Sequence, residues 1–375
     1  MRWSSTMLTS KERILRCLHH EPIDRVPIST YELVGWNLDS WENRTPAYHQ
    51  LMEVIRKKTD CFYMANPTLI EPSNPYIQTE SRVIGRQTFT TTTFTHRHGS
   101  FSAQYRQDAG LHTRWKIRHL LNEISDIDDY LSIPYFEPSI DMSSFNRQKE
   151  DLADHGVMMI SLSDPVSLAA SLFGMEAFLV YAITETCEMI RLMDALFERQ
   201  MLILSKILHH PVTDVMFRIC GPEYATPPFL HKEYFPVFVT KYVKKMCHAI
   251  RQAGGIPRIH CHGKISEIID EFALTDAMAL DPLEPPPDGD IPLKMIKQRY
   301  GKQFCLFGNI ELKELEYSEP ARIDALVKHA MEDAKNDSGF VLMPTAAPIN
   351  DDLSPTTERN YYQLIESAYR YGTYF

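Results

Sequence analysis

The stretch that decides the fold is Ile256–Gly263, IPRIHCHG, a short apolar run that turns polar at its end. The same design recurs as VMMISLSD (157–164), VMFRICG (215–221), DAMALDPLE (276–284), QFCLFGNI (303–310) and FVLMPTAA (340–347). Between such runs lie longer segments, 184–209 and 232–253 among them, with apolar residues at i, i+3, i+4 and i+7, the spacing of amphipathic helices. Gly254 and Gly255 close the second of these as a helix C-cap. Alternating strands and helices imply a parallel sheet, and continuously apolar strands imply burial on both faces. RVPIS (25–29) and CFYMANP (61–67) bring the strand count to eight, the number that closes a barrel. An open doubly wound sheet is the rival arrangement, but no G-x-G-x-x-G follows an early strand.

Outward from this repeat, Thr9 and Glu12 form a capping box that starts a helix over Ser10–His19, and Pro22 ends it. The Thr-rich stretch TFTTTTFTHRHGSFSAQY predicts a β-hairpin or meander insertion over 78–106. Further helices are expected near 123–131 and 145–154. The expectation is therefore an α/β chain folded as one (β/α)8 TIM barrel over 1–375, with N-terminal helical and β-hairpin additions. The Pro-rich EPPPDGD (284–290) is too short to be a domain linker.

With 375 residues, 44% hydrophobic and 23% charged, a disordered or fibrous chain is excluded. Lys+Arg 39 against Asp+Glu 49 gives a net charge of −10 without a long basic block, which disfavours a nucleic-acid partner. The most apolar stretch, VSLAASLFGMEAFLVYAI (166–183), is too short and interrupted for a membrane span and reads as buried core. The opening MRWSSTMLTSKER lacks a secretory h-region, so a cytoplasmic location is expected. Seven scattered cysteines without C-x-x-C fit reduced thiols.

Barrel enzymes carry their chemistry at the C-terminal strand ends, and here those ends are unusually polar. His260 and His262 lie two apart on a strand, so both face one side while Cys261 faces the helices. Two convergent imidazoles suit a divalent metal, with a carboxylate such as Glu223 or Glu284 completing a zinc site. The alternative is that one histidine is core and the other hydrogen-bonded. Glu223 and Glu284 are candidates for ligation or acid–base catalysis, or else solvated rim residues. Asp164 and Asn309 either touch substrate or cap the helices that follow, capping being the stronger expectation for Asn309. Tyr31 and Tyr224 complete the expected substrate contacts. Nucleophile-elbow, H-E-x-x-H and Walker A motifs are missing from the sequence.

Taken in order, SKERILRCLHHEPIDRVPIS (10–29), GPEYATPP (221–228), IHCHGKI (259–265), DPLEPPP (281–287), GDIPLKMIKQRYG (289–301), CLFGNIE (305–311) and GFVLMPTAAP (339–348) resemble the uroporphyrinogen decarboxylase superfamily. The resemblance implies a (β/α)8 barrel and one of two chemistries. True decarboxylases grip substrate carboxylates with an Arg-Gln-Ala-Gly-Arg-Tyr stretch, where this chain has Tyr31-Glu32-Leu33-Val34-Gly35-Trp36 with neither arginine. The other branch, corrinoid-dependent methyltransferases, holds zinc with His-x-Cys and a last-strand Cys. His260 matches the first ligand, His262 stands for the Cys, and Thr345-Ala346-Ala347 lacks the third. The resemblance thus implies methyl transfer from a small, O-methylated donor to a corrinoid carried by a partner protein, with zinc on His260, His262 and Glu223 or Glu284. The rivals are metal-free decarboxylation of a tetrapyrrole or related acid, an amidohydrolase-type site, and a non-catalytic corrinoid- or tetrapyrrole-binding barrel. A homodimer is among the assemblies open to it.

Overall fold

The structure, a computed structural model, describes residues 7–374. The residues 1–6 on which the leader reading partly rests lie outside that range. Seven parallel strands form one sheet: β1 (Cys61–Met64), β2 (Gly156–Ser163), β3 (Met216–Cys220), β4 (Ile256–His260), β5 (Ala279–Asp281), β6 (Cys305–Ile310) and β7 (Phe340–Pro344). Each pairs with the next in order, as right-handed β-α-β units require.

The eighth position is filled by Arg25–Ser29, which forms single bridges instead of the expected strand. Leu342 N donates to Pro27 O at 3.0 Å and Ser29 N to Leu342 O at 2.9 Å, while Asp60 N donates to Ile28 O at 2.8 Å. The segment is thereby tied to β7 on one side and to the start of β1 on the other, and the sheet curls into a TIM barrel. Pro27 explains the weak ladder, because it has no N–H to donate.

Alternation along the strands splits the core in two. Ile160, Phe217, Ile259, Leu280, Leu306 and Leu342 pack outward under the helices. Phe62, Met159, Met216, Ala279, Phe307 and Met343 fill the barrel, and Ile14, Cys17 and Leu18 of the first helix, Ser10–Leu18, plug its base. That helix has the predicted capping box, with Glu12 N donating to Thr9 and Thr9 N to Glu12. Its Arg13 holds Asp60 at 2.7 Å and Asp24 at 2.7 Å, and Arg25 holds Asp60 at 2.6 Å. The Asp-Arg of the opening motif thus belongs to a structural clamp, with Arg25 buried on Asp60 and Asp24 half-buried on Arg13.

The Thr-rich region is a four-stranded antiparallel meander, Ile77–Ile84, Gln87–His96, Gly99–Asp108 and Trp115–Arg118, longer than the 78–106 expected. The stretch 166–183 is buried core in part: Val166, Ala169, Ala170, Phe173, Phe178 and Ala182 are buried. It forms two helices, Pro165–Phe173 and Met175–Thr184, bent by 112°, and the second exposes Val180 and Ile183. No single helix among the described residues is long and apolar enough to cross a membrane.

Candidate active site

The inward phase of β3, β4 and β5 carries, above the apolar floor, Arg218, Arg258, His260 and Asp281. Arg218 pairs in register with Arg258, and His260 with Asp281, so the four stand on neighbouring strands. Asp281 is the hub. It accepts from Arg258 Nε at 2.5 Å on Oδ1 and meets His260 Nδ1 at 2.8 Å on Oδ2, with Arg218 Nε at 3.8 Å. Burial works against its charge, but Arg258 and His260 hold its carboxyl well below the usual range. Burial outweighs the pull of Asp281 on His260, whose imidazole drops to about 4. At neutral pH His260 is uncharged, and an ionised Asp281 can only accept, so Nδ1 carries the proton and Nε2 its lone pair.

The two arginines differ. Arg258 lies over the Phe307 ring at 4.1 Å, against the sulfurs of Met159, Met216 and Met343, sealed from the mouth. Arg218 reaches up instead. Its Nη2 donates to Tyr31 Oη at 2.6 Å, Nη1 meets Glu32 at 3.3 Å, and its buried Nε lacks a hydrogen-bond partner. Ser29, Tyr31, Glu32, Phe62, Met159, Arg218, Arg258 and Met343 line a crevice with about 10 Å³ of free space, the room of about one water.

A second layer lies at the strand ends. His262 Nδ1 pairs with Glu284 Oε1 at 2.8 Å, and Gly263 N donates to Oε2 at 2.6 Å. Burial depresses His262, yet the bond to Glu284 and its charge lift it above its ordinary value. Burial raises Glu223, which accepts from Gly221 N at 3.2 Å. Glu311, at the end of β6, is pushed up to about 7 by burial and by the charge of Glu284. Asp164 is fully buried and raised by that burial, and it caps the helix Pro165–Phe173 by accepting from Ser167 N at 2.8 Å. Gly221 (φ +129°) makes room for it, since a Cβ there would overlap Asp164 Oδ1.

The expected residues are brought together in part. The His260 and His262 rings stand 4.6 Å apart and edge-to-face, and Tyr31 meets His260 through Arg218. Tyr224 is half-buried beside the mouth. Asn309 lies inside β6 and caps nothing: the next helix, Leu312–Tyr317, begins after Glu311. Sequence reading missed Arg218, Arg258, Asp281 and Glu311. The signal was present, because the alternation that turns His260 inward also turns Arg258 inward.

Zinc can be tested against these donors. Each imidazole has its Nδ1 tied to a carboxylate, the support that metal-bound histidines use. Arg218 Nη2, however, sits 3.1 and 3.0 Å from the two nitrogens of His260, over the ring face, placing a fixed cation where the ion would go. Among the described residues no His, Cys, Asp or Glu atom converges with both imidazoles as a third ligand. As arranged, these residues do not fit a zinc ion. The crevice over Arg218, with about 10 Å³ of free space, likewise has no room as it stands for a corrinoid or tetrapyrrole ring.

Fold and site together define an α/β barrel with its ionisable groups at the C-terminal strand ends, the place where barrel enzymes work. The family model for Uroporphyrinogen decarboxylase (URO-D) matches residues 118–355, and the chain belongs to that family. A solved methyltransferase from Methanosarcina mazei is similar over 97% of this chain and 99% of its own, with a TM-score of 0.63 at 16% identity, a likeness of fold. A Bacteroidetes-affiliated GH5 cellulase linked with a polysaccharide utilization locus reaches a TM-score of only 0.37 at 9% identity, over 70% of this chain and 78% of its own. No curated protein matches the chain.

Proposed function

We propose that the protein is a methyltransferase-like enzyme that demethylates a small, carboxylate-bearing methyl ether. The observation that carries this reading is a layer of groups whose proton affinity is raised, Glu311, Glu223 and His262, at the barrel mouth over Arg218, where the donor would enter. Arg218, which meets Glu32 at 3.3 Å and Asp281 at 3.8 Å without a close carboxylate contact, would hold the donor's carboxylate. The methyl carbon–oxygen bond breaks with its electron pair going to oxygen, and the methyl group passes to a nucleophile presented at the mouth. The oxygen takes a proton from Glu311 or a neighbouring acid, general acid catalysis worth about 10²–10⁴. Protonation does for the leaving oxygen what the resemblance assigns to zinc. The acceptor that the resemblance implies is a corrinoid on a partner protein, which would meet the donor at the mouth.

One observation favours a second reading. The same Arg218 would hold the carboxylate of a small acid for decarboxylation, with the mouth acids protonating the resulting carbanion. The two readings differ in product. Methoxyacetate and the methoxybenzoates, methyl-labelled with ¹³C, are incubated with the protein and reduced cobalamin. Methylcobalamin and the free hydroxy acid support methyl transfer; labelled ether intact with release of CO2 supports decarboxylation; neither product overturns both.

A further inference from the structure

The second His-x-His of the chain lies far from the barrel mouth. His96 ends one strand of the meander, and Arg97–His98 form the two-residue turn that leads to Gly99. Asp129 comes to this turn from the helix Asp126–Ser132. His98 Nδ1 stands 2.7 Å from Asp129 Oδ1, and His96 Nδ1 stands 3.3 Å from Oδ2. One donor atom from each residue lies within 4.8 Å of the other two.

We propose that His96, His98 and Asp129 form a structural zinc site that fastens the meander tip to the helix Asp126–Ser132. The independent sign is His96. Its side chain is 6% exposed and stacks on Phe101 at 4.3 Å, yet its buried Nδ1 has no hydrogen-bond partner. A buried ring nitrogen left unpartnered is costly, and a metal ion satisfies it. The 3.3 Å gap to Oδ2 is misaligned for a hydrogen bond. It matches the separation of two ligands on one tetrahedral ion, about 3.3–3.6 Å for metal–ligand bonds of about 2.0–2.2 Å, whereas the 2.7 Å between His98 and Asp129 is a hydrogen bond that must open by about 0.6 Å or more to admit the ion. Two imidazoles and a carboxylate are a borderline-soft N/O set that suits zinc, with water in the open position. Arg97 opposes it weakly, because its Nε stays 4.0 Å from Asp129 and its side chain is 69% exposed, free to turn into solvent.

This site alters what bulk zinc content means, since an ion found in the purified protein need not lie in the barrel. The test is calorimetric titration of the metal-stripped full chain with Zn²⁺, for the wild type and for Asp129→Asn, His98→Ala and His260→Ala, with far-UV circular dichroism as the folding control. His98 sits at an exposed turn, so its variant keeps the fold. The expected result is one equivalent of zinc in the wild type and in His260→Ala, with affinity at least tenfold weaker in Asp129→Asn and in His98→Ala. No zinc uptake by the wild type, or uptake unchanged in Asp129→Asn, overturns the proposal.

Discussion

The two ends of the barrel are built from the same parts, a buried aspartate gripped by two arginines, and they are finished differently. At the base, Asp60 accepts from Arg13, Arg25 and the Ile28 amide, and Arg13 spends its remaining donors on Asp24 and the Leu8 carbonyl. Toward the mouth, Asp281 is as deeply buried, but Arg218 approaches it only to 3.8 Å, and its Nε makes no hydrogen bond. A fully satisfied network fixes a structure, whereas a buried donor left without a hydrogen bond is a weaker tie. The same residue types are thus fully spent on structure at one end and only partly spent at the other.

The largest expected effect is at the base. Asp60→Ala leaves Arg25 buried without its anion and Arg13 with Asp24 alone, and should cost about 3–5 kcal/mol of stability, read from the denaturant midpoint. A loss below about 1 kcal/mol would show that the base is no clamp. Arg218→Met should reverse the balance. Asp281 keeps Arg258 and His260, so stability should fall by no more than about 1.5 kcal/mol, while turnover of the methyl ether falls by about 10²-fold, mostly in KM, as an anchoring cation predicts. Equal losses of stability in the two variants would erase the contrast between the ends.

Much of the barrel was legible because its strands are buried on both faces and so read as unbroken apolar runs. Arg25–Ser29 read as a strand but contributes only bridges, since the residues that make it strand-like do not replace the amide missing at Pro27. Position was legible for the strand ends: His260, His262 and Glu284 meet there, and Glu223 follows the end of β3. Arg218 and Arg258 were passed over because they lie inside apolar runs, where a charge looks like an interruption and only alternation shows that it points into the barrel. That His262 would pair with Glu284, and His260 with Asp281, depends on neighbouring-strand register, which a single sequence does not reveal.

In the proposed reaction a protonated acid at the mouth drives departure of the donor's oxygen, and Glu311, pushed up to about 7, is one group there that titrates within reach of neutral pH, beside His262, which is raised as well. The direct measurement is the pH dependence of kcat/KM for ether demethylation in the wild type and in Glu311→Gln. The active form is protonated, so the wild-type rate should fall as pH rises through about 7. In the variant that limb should vanish and the rate at pH 6 should drop by about tenfold or more. An alkaline limb that persists unchanged in Glu311→Gln would contradict the account.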